Sequence, residues 1–450
     1  MANLSHRRST YEQRKARVAA SCTNGHGVVG LRKRTSSNLF RYNGRRHNNA
    51  RAIAGSDFNH VLALDPQACT LEVEGLITYE QVVNFTLPRG FLPTVTPELK
   101  HITVGGAIVG IGIESSCFQY GFVHDGLLEA DVLLTDGSIV TCRADNEYAD
   151  LFFALPNSYG TLGYILRAKI SLVPAQPYVR IDNLRYTSIS DFLSAMELAT
   201  KLQGNDFIDG LFYSDNELYL TTGQMCAEAP HTIDIYRDHT YYKLLRKDTT
   251  FHLSTPDYIF RYDPDWFWNI PEGGLYDLFR RIAPRSLRSS GFYNRYVKIT
   301  SRIKRLLRLH DRTDEEQLIQ DWELPWERAA DFIIYALENI DIQGQPWVAA
   351  PIRTPRTPTI YPIRNDTLYL NVGCYCYAKK PIADEPYYYT RILDRKCFEL
   401  GGIKMLYSST FLGQSEFDRL YNGSAYAALK QKYDVNGHAP TLFEKAVGRR

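Results

Sequence analysis

Thr103-Val104-Gly105-Gly106-Ala107-Ile108-Val109-Gly110-Ile111-Gly112-Ile113-Glu114-Ser115 is the stretch on which the reading of this chain turns. Glycines at 105, 106, 110 and 112 stand between Thr103 and Glu114. Glycine lets backbone amides approach a ligand with no Cβ in the way, and successive N–H groups in such a loop form a nest suited to a pyrophosphate. Thr103, Ser115 and Ser116 add hydroxyls at either end. Spacing alone leaves two readings open. A nicotinamide-type Rossmann site needs a hydrophobic strand before the glycines and a helix after them. Here Lys100 and His101 precede, and Ser115 to Tyr120 follows with no helical run. The Rossmann reading is disfavoured, and a glycine-rich packing loop remains the alternative to an anion site.

Working outward, Thr70 to Leu76 alternates apolar and polar residues as a half-buried strand. Thr78 to Leu87 has the spacing of a helix. Glu129 to Cys142 reads as two strands joined by Asp136-Gly137, a strong hairpin signal. Asp145 to Leu155 reads as a loop and short helix. Ser158-Tyr159-Gly160-Thr161-Leu162-Gly163 follows, then an alternating strand from Tyr164 to Val173, closed by Pro174 to Pro177. Beyond this boundary the pattern predicts helices at Ile189–Leu202 and Asp321–Asn339, and strands at Glu217–Thr222 and Thr367–Tyr377. Two helical stretches are expected around Asn422-Gly423. The fold class is α+β with two domains. The divisions are a basic, partly helical arm over 1–20, a first domain over 21–175, a second over 176–400 and a C-terminal segment over 401–450.

At 450 residues, two domains suit the length, and 44% hydrophobic with 23% charged residues is globular composition. A formal net charge of +2 gives no case for nucleic acid. Basic clusters at His6–Arg17, Arg32–Arg51 and Arg280–Arg308 are candidates for touching the phosphate of a cofactor or a lipid surface, or else are solvated faces. The eight cysteines show no CxxC pattern, and Cys374 and Cys376 alternate on one strand as a reduced, buried pair. No metal site is expected. No run reaches the roughly 20 apolar residues of a membrane span, and no signal peptide is read, so the expectation is a soluble cytoplasmic protein.

The glycine stretch resembles the FAD-binding segment of the vanillyl-alcohol-oxidase, or PCMH-type, flavoproteins, and more narrowly that of the Δ24-sterol reductase (diminuto-like) branch. The similarity continues through Tyr120-Gly121, the hairpin with Asp136-Gly137-Ser138, Asp150-Leu151-Phe152 and Gly160-Thr161-Leu162-Gly163. It extends more thinly through Arg261, Phe267-Trp268, Gln320-Asp321 with Pro325, Met405-Leu406-Tyr407, and Gly423 with Tyr426. The chain departs from the family at Phe118 and Asn157, where the family usually has His and Trp, and at Tyr262, Asp263 and Pro264 beside Arg261. The N-terminal membrane segment of eukaryotic members is not read in this sequence.

The resemblance implies a PCMH-type FAD-binding domain and a substrate (cap) domain on a mixed or antiparallel sheet with helices. It implies noncovalent FAD held by Thr103, Val104, Gly105, Gly106, Ala107, Gly110, Gly112, Ile113, Glu114, Ser115, Ser116, Tyr120 and Gly121. The second loop would add Gly160, Thr161, Leu162, Gly163 and Ile165. His47 and Cys117, the His and Cys nearest the loops, match no attachment motif. On the substrate side the candidates are Arg261, Asp321, Tyr375 and Tyr407, each with a structural alternative: an ion pair for the first two, a core position for the tyrosines. The expected activity is reduction of a C=C bond in a sterol-like or other apolar lipid, with NADPH as electron donor. An alcohol or sugar oxidase or dehydrogenase and a flavin-binding scaffold without turnover remain open. The basic arm could rest on a membrane surface.

Overall fold

A computed structural model describes residues 2–23, 29–32, 51–54, 57–264, 282–292, 299, 315–341, 344–382 and 385–447. Two antiparallel sheets organise these residues. The first runs in the order Val61–Asp65, Thr70–Glu74, Tyr164–Pro174, Leu127–Leu133 and Ile139–Cys142, with Phe91–Pro93 on the far end of Tyr164–Pro174. Its hairpin turns as the Asp-Gly pair predicts: Gly137 has φ 93°, and the Leu134 N–H meets the Ser138 carbonyl at 2.9 Å. The helix Tyr79–Thr86 begins at a capping box of Thr78 and Gln81.

The second sheet is ordered Thr250–Ser254, Tyr178–Tyr186, Glu217–Cys226, Phe207–Ser214, Trp347–Arg353, Leu368–Lys379, Glu315–Pro325 and Ile403–Lys404. The chain passes from one sheet to the other across residues 175–177. Side chains alternate across a strand, so this sheet has two faces of different fate. Ile208, Phe212, Trp322, Leu370, Val372 and Cys374 pack under the helices Ile189–Lys201, Ala329–Asn339 and Tyr388–Glu399. Phe207, Leu211, Tyr213, Val348 and Tyr369 face the other way and join the core of the first sheet. Cys374 and Cys376 are free and buried on the helix side, as the alternation predicts.

One sequence expectation fails here. Residues 321–339 are not one helix: Glu315–Pro325 is a strand, Trp326–Arg328 a 3₁₀ turn, and only Ala329–Asn339 is α-helical. The helix formers Glu, Gln and Leu in Glu315–Leu324 are overridden by eleven residue pairings with Leu368–Lys379, from Glu315↔Lys379 to Pro325↔Tyr369.

The basic clusters are largely engaged inside the molecule where they are described. Helix Ala2–Thr23 docks on the first sheet through Tyr11 and Val18. Tyr11 donates to Asp131 at 2.7 Å, Lys15 pairs with Asp131 at 3.3 Å, and Arg14 pairs with buried Glu74. Arg285 pairs with Asp234 and Asp257, each at 3.1 Å. Most of Arg32–Arg51 and of Arg280–Arg308, with Lys304 and Arg305, lies outside the described residues, as do His47 and Phe267-Trp268. No helix among the described residues is long and apolar enough to cross a membrane.

Candidate active site

A cavity of about 370 Å³ lies where the cavity-facing side of the second sheet meets the loops of the first. Its wall includes Thr103, Gly105, Gly106, Ala107, Gly110 and Gly112. Ile113, Glu114, Ser115, Gly160, Gly163 and Ile165 continue it. From the other side come Arg261, Asp321, Tyr375 and Tyr407. The structure thus brings all four substrate-side candidates to the glycine stretch.

The glycine stretch is not a loop throughout. Thr103 caps a helical turn, Val104–Val109, by accepting the Gly106 N–H at 3.3 Å. Gly105 is there for close packing: its N–H meets the Gly75 carbonyl at 2.8 Å, and a Cβ would stand 2.9 Å from that same oxygen. The amides of Val104, Gly105, Gly106, Ala107 and Gly112 are all bonded within the protein. The anion nest therefore narrows to the turn after the helix. Gly110 sits at φ −113°, ψ 10°, and Ile111 follows at φ 57°. A β-branched residue in the left-handed region is a true outlier, and this alternation turns neighbouring N–H groups to one side.

The second loop is also contorted, with Asn157, Tyr159 and Gly160 at φ 65°, 49° and 78°. It is bound to the first: the Tyr159 N–H meets the Val109 carbonyl at 3.1 Å, and its hydroxyl meets the Gly110 carbonyl at 3.3 Å. Not every residue taken for cofactor contact reaches the cavity wall. Val104, Thr161 and Leu162 are buried in the core behind it. Thr161 donates its hydroxyl to the Ser158 carbonyl at 2.8 Å and so holds the loop in shape. Ser116 donates to the Thr94 carbonyl at 2.9 Å and, with Tyr120, faces a separate space of about 20 Å³. Gly121 makes a tight turn at φ 73° against Asp125. Cys117 is buried and accepts the Glu114 N–H.

Arg261 is 2% exposed and bridges two carboxylates, Glu114 at 3.0 Å and Asp209 at 2.7 Å. Its guanidinium lies 4.9 Å from the Tyr258 ring and 5.1 Å from the Tyr262 ring. Glu98 is the third acid of this group. Burial, with the charge of Glu114 next, pushes the Glu98 carboxyl well above its ordinary range. Glu98 Oε2 and Glu114 Oε1 are both buried without a donor, and the two carboxyls are in hydrogen-bond reach of one another. A proton on Glu98 supplies the donor that ionised carboxylates lack.

The second polar cluster is carried by adjacent strands in fixed register: Ile319 lies opposite Tyr375, Asp321 opposite Gly373, and Glu323 opposite Asn371. Asp321 leans over Gly373, where a Cβ would stand 2.4 Å from its Oδ1. Tyr375 donates to Asp321 at 3.2 Å, and Tyr407 makes a very short bond to the same oxygen. Burial raises the Asp321 carboxyl to about 7, the hydroxyls of Tyr407 and Tyr375 and the Asn371 amide opposing it. Burial likewise raises Glu323 to about 8. Among the described residues, no cation is a partner of Asp321 or Glu323.

Sequence reading missed Glu98, Asp209, Asn371 and Lys445 on the wall. Asp209 and Asn371 were recoverable from strand alternation; Glu98 and Lys445 carry no local signal.

These residues fit a bound FAD. The cavity has the size of a cofactor site, a strained turn presents amides, and a buried polar atom without a partner, Arg261 Nε, belongs to a wall residue. Comparison with known proteins agrees. Residues 11–143 match the family model described as FAD binding domain. The Delta(24)-sterol reductase of Homo sapiens is 28% identical over 404 residues, covering 86% of this chain and 75% of the relative. That of Arabidopsis thaliana is 24% identical over 439 residues, covering 87% and 75%. Cytokinin dehydrogenase 7 of Oryza sativa subsp. japonica is 35% identical over 136 residues, 29% of this chain and 26% of the relative. The shorter match suits a shared cofactor domain, and the longer ones carry the second sheet as well. Residues 11–143 thus match an FAD binding domain, and over most of its length the chain is similar to the Delta(24)-sterol reductases.

Proposed function

We propose that the protein is an FAD-dependent reductase of an isolated C=C bond in a sterol-like or other apolar lipid, with NADPH as electron donor. The observation that carries this reading is the hydrogen-bonded cluster of Asp321, Tyr375 and Tyr407 on the wall that faces the glycine turn. When bound, FAD would supply the hydride chemistry at one alkene carbon, and the other carbon would need a proton. Tyr407 is placed to give that proton and to regain it from the Asp321 carboxyl, which burial raises to about 7. Asp321 then takes a proton from solvent. Leu99, Ile102, Ile113, Val348, Ala350 and Met405 add apolar surface to the wall, in keeping with a lipid substrate. The names of the relatives point the same way.

An alcohol dehydrogenase or oxidase is the second reading, because the ionised form of Asp321 is a competent base for a hydroxyl proton. Anaerobic mixing of the yellow holoprotein with NADPH separates the two. Bleaching by NADPH, followed by reoxidation with a sterol carrying a side-chain double bond, is the expected result. Bleaching by an alcohol but not by NADPH would replace the first reading with the second. A holoprotein that neither reductant bleaches would leave a flavin-binding scaffold.

A further inference from the structure

Among the described residues, two cations line the cavity, Arg261 and Lys445. Arg261 is bonded to Glu114 and Asp209, with Glu98 beside them, and this excess of acids repels an anion. Lys445 comes from the helix Leu442–Ala446, near the other end of the chain. A run of hydrogen bonds fixes that helix. Thr441 and Glu444 form its capping box, and the Leu442 N–H meets the Tyr426 hydroxyl at 2.8 Å. The Lys430 ammonium donates to the carbonyls of Thr161 at 2.8 Å and Ala439 at 3.0 Å. Thr161 lies in the second loop, whose Tyr159 is bonded to Val109 and Gly110. The C-terminal helix is thus tied, through three links, to the corner where Gly110 and Ile111 turn.

We propose that Lys445 is the cationic partner of the cofactor's diphosphate, and that the segment Ala439–Ala446 is the strap closing that corner of the site. The inference rests on the FAD reading. A diphosphate brings two negative charges, whereas the turn at Gly110–Ile111 offers only neutral donors. An ammonium on a half-buried wall supplies counter-charge where attraction is stronger than in water. The oxidised isoalloxazine is neutral, so with oxidised flavins the effect of Lys445 must follow the phosphates.

The test uses full-length apoprotein with Lys445→Gln and Lys445→Arg, reading the Kd of FAD and of riboflavin by flavin fluorescence at several salt concentrations. Lys445→Gln is expected to weaken FAD about 10–100-fold, the equivalent of one charge-assisted hydrogen bond, and to flatten its salt dependence. Riboflavin, which lacks phosphate, should bind all variants equally, and Lys445→Arg should stay near wild type. Unchanged FAD affinity in Lys445→Gln overturns the inference. So does an equal loss for riboflavin, which marks a merely structural helix. Wild-type protein that binds neither flavin would overturn the FAD reading itself, a distinguishable result.

Discussion

The two polar clusters on the cavity wall solve the problem of buried acids in opposite ways. Around Arg261, Glu114 and Asp209 share one guanidinium gripped at 3.0 and 2.7 Å, with Glu98 beside them. Around Asp321, none of the described residues supplies a cation, and phenols and an amide oppose burial. A charge locked by another charge is fixed in place; a carboxyl left to titrate near neutrality is free to exchange its proton. Under the proposed function, the contrast divides the substrate-side candidates: Arg261 would hold architecture and Asp321 would handle the proton.

Removing the guanidinium is the most severe way to break this comparison. Arg261→Met leaves Glu114 and Asp209 buried without a counter-ion, and breaking a buried pair costs about 3–5 kcal/mol. Urea unfolding at pH 7 should show that loss. It should shrink as pH falls, because Asp209, already raised by burial, takes up a proton and no longer needs the cation. A loss under about 1 kcal/mol would show that the acids find water instead.

Asp321→Asn should do the reverse, sparing the fold and removing the chemistry. A fall in kcat of about 10²–10³-fold is expected, the range for a positioned acid, with FAD affinity unchanged. In the wild type, reduction should decline as pH rises through about 7, since the protonated carboxyl is the refilling donor; the variant should lack that limb. Stability carries its own sign. A carboxyl raised on folding contributes stability that is present below its unfolded value and lost as pH rises through its folded value. Wild type should therefore lose stability relative to Asp321→Asn between about 4 and about 7, as thermal midpoints across pH would show.

How much of this was legible beforehand depends on where each signal resides. The Asp136-Gly137 turn, the capped helix at Tyr79 and the alternation from Tyr164 are local, and local chemistry decided them. The strand Glu315–Pro325 was read partly as helix because its polar positions do not face solvent: Asp321 lines the cavity, and Glu323 is buried against Tyr361 and Asn371. Only the pairing with Leu368–Lys379 makes it a strand. The glycine stretch was legible as a site, but not its division of labour. Gly105 answers to Gly75, nearly thirty residues away in sequence, and leaves the amide turn to Gly110 and Ile111. Glu98 and Lys445 were invisible because nothing nearby marks a residue that only tertiary closure brings to a wall.

Gly373→Ala probes how tightly the Asp321 cluster is built. The added Cβ would stand 2.4 Å from Asp321 Oδ1, so the carboxyl must move off its phenol partners. Overpacking of this kind costs about 1–3 kcal/mol. The cost should largely vanish in an Asp321→Ala background, a coupling that a double-mutant cycle measures directly. Additive effects would mean that the clash is relieved by the backbone and not by Asp321.

Tyr375→Phe gives the smallest change and the finest reading of the comparison. The phenol donates to Asp321 at 3.2 Å, longer than the Tyr407 bond to the same oxygen, and its removal costs a net of about 0.5–1.5 kcal/mol. Because the donor stabilises the ionised carboxyl, its loss moves the titration of Asp321 further up from about 7. The high-pH limb of alkene reduction should follow upward, by less than the shift that Tyr407→Phe produces. The corresponding change at the other cluster, Tyr258→Phe, touches an arginine held by two carboxylates and should leave that limb where it is. Equal shifts from the two phenylalanine variants would mean that both clusters exchange protons, and the division between a locked site and a titrating one would fall.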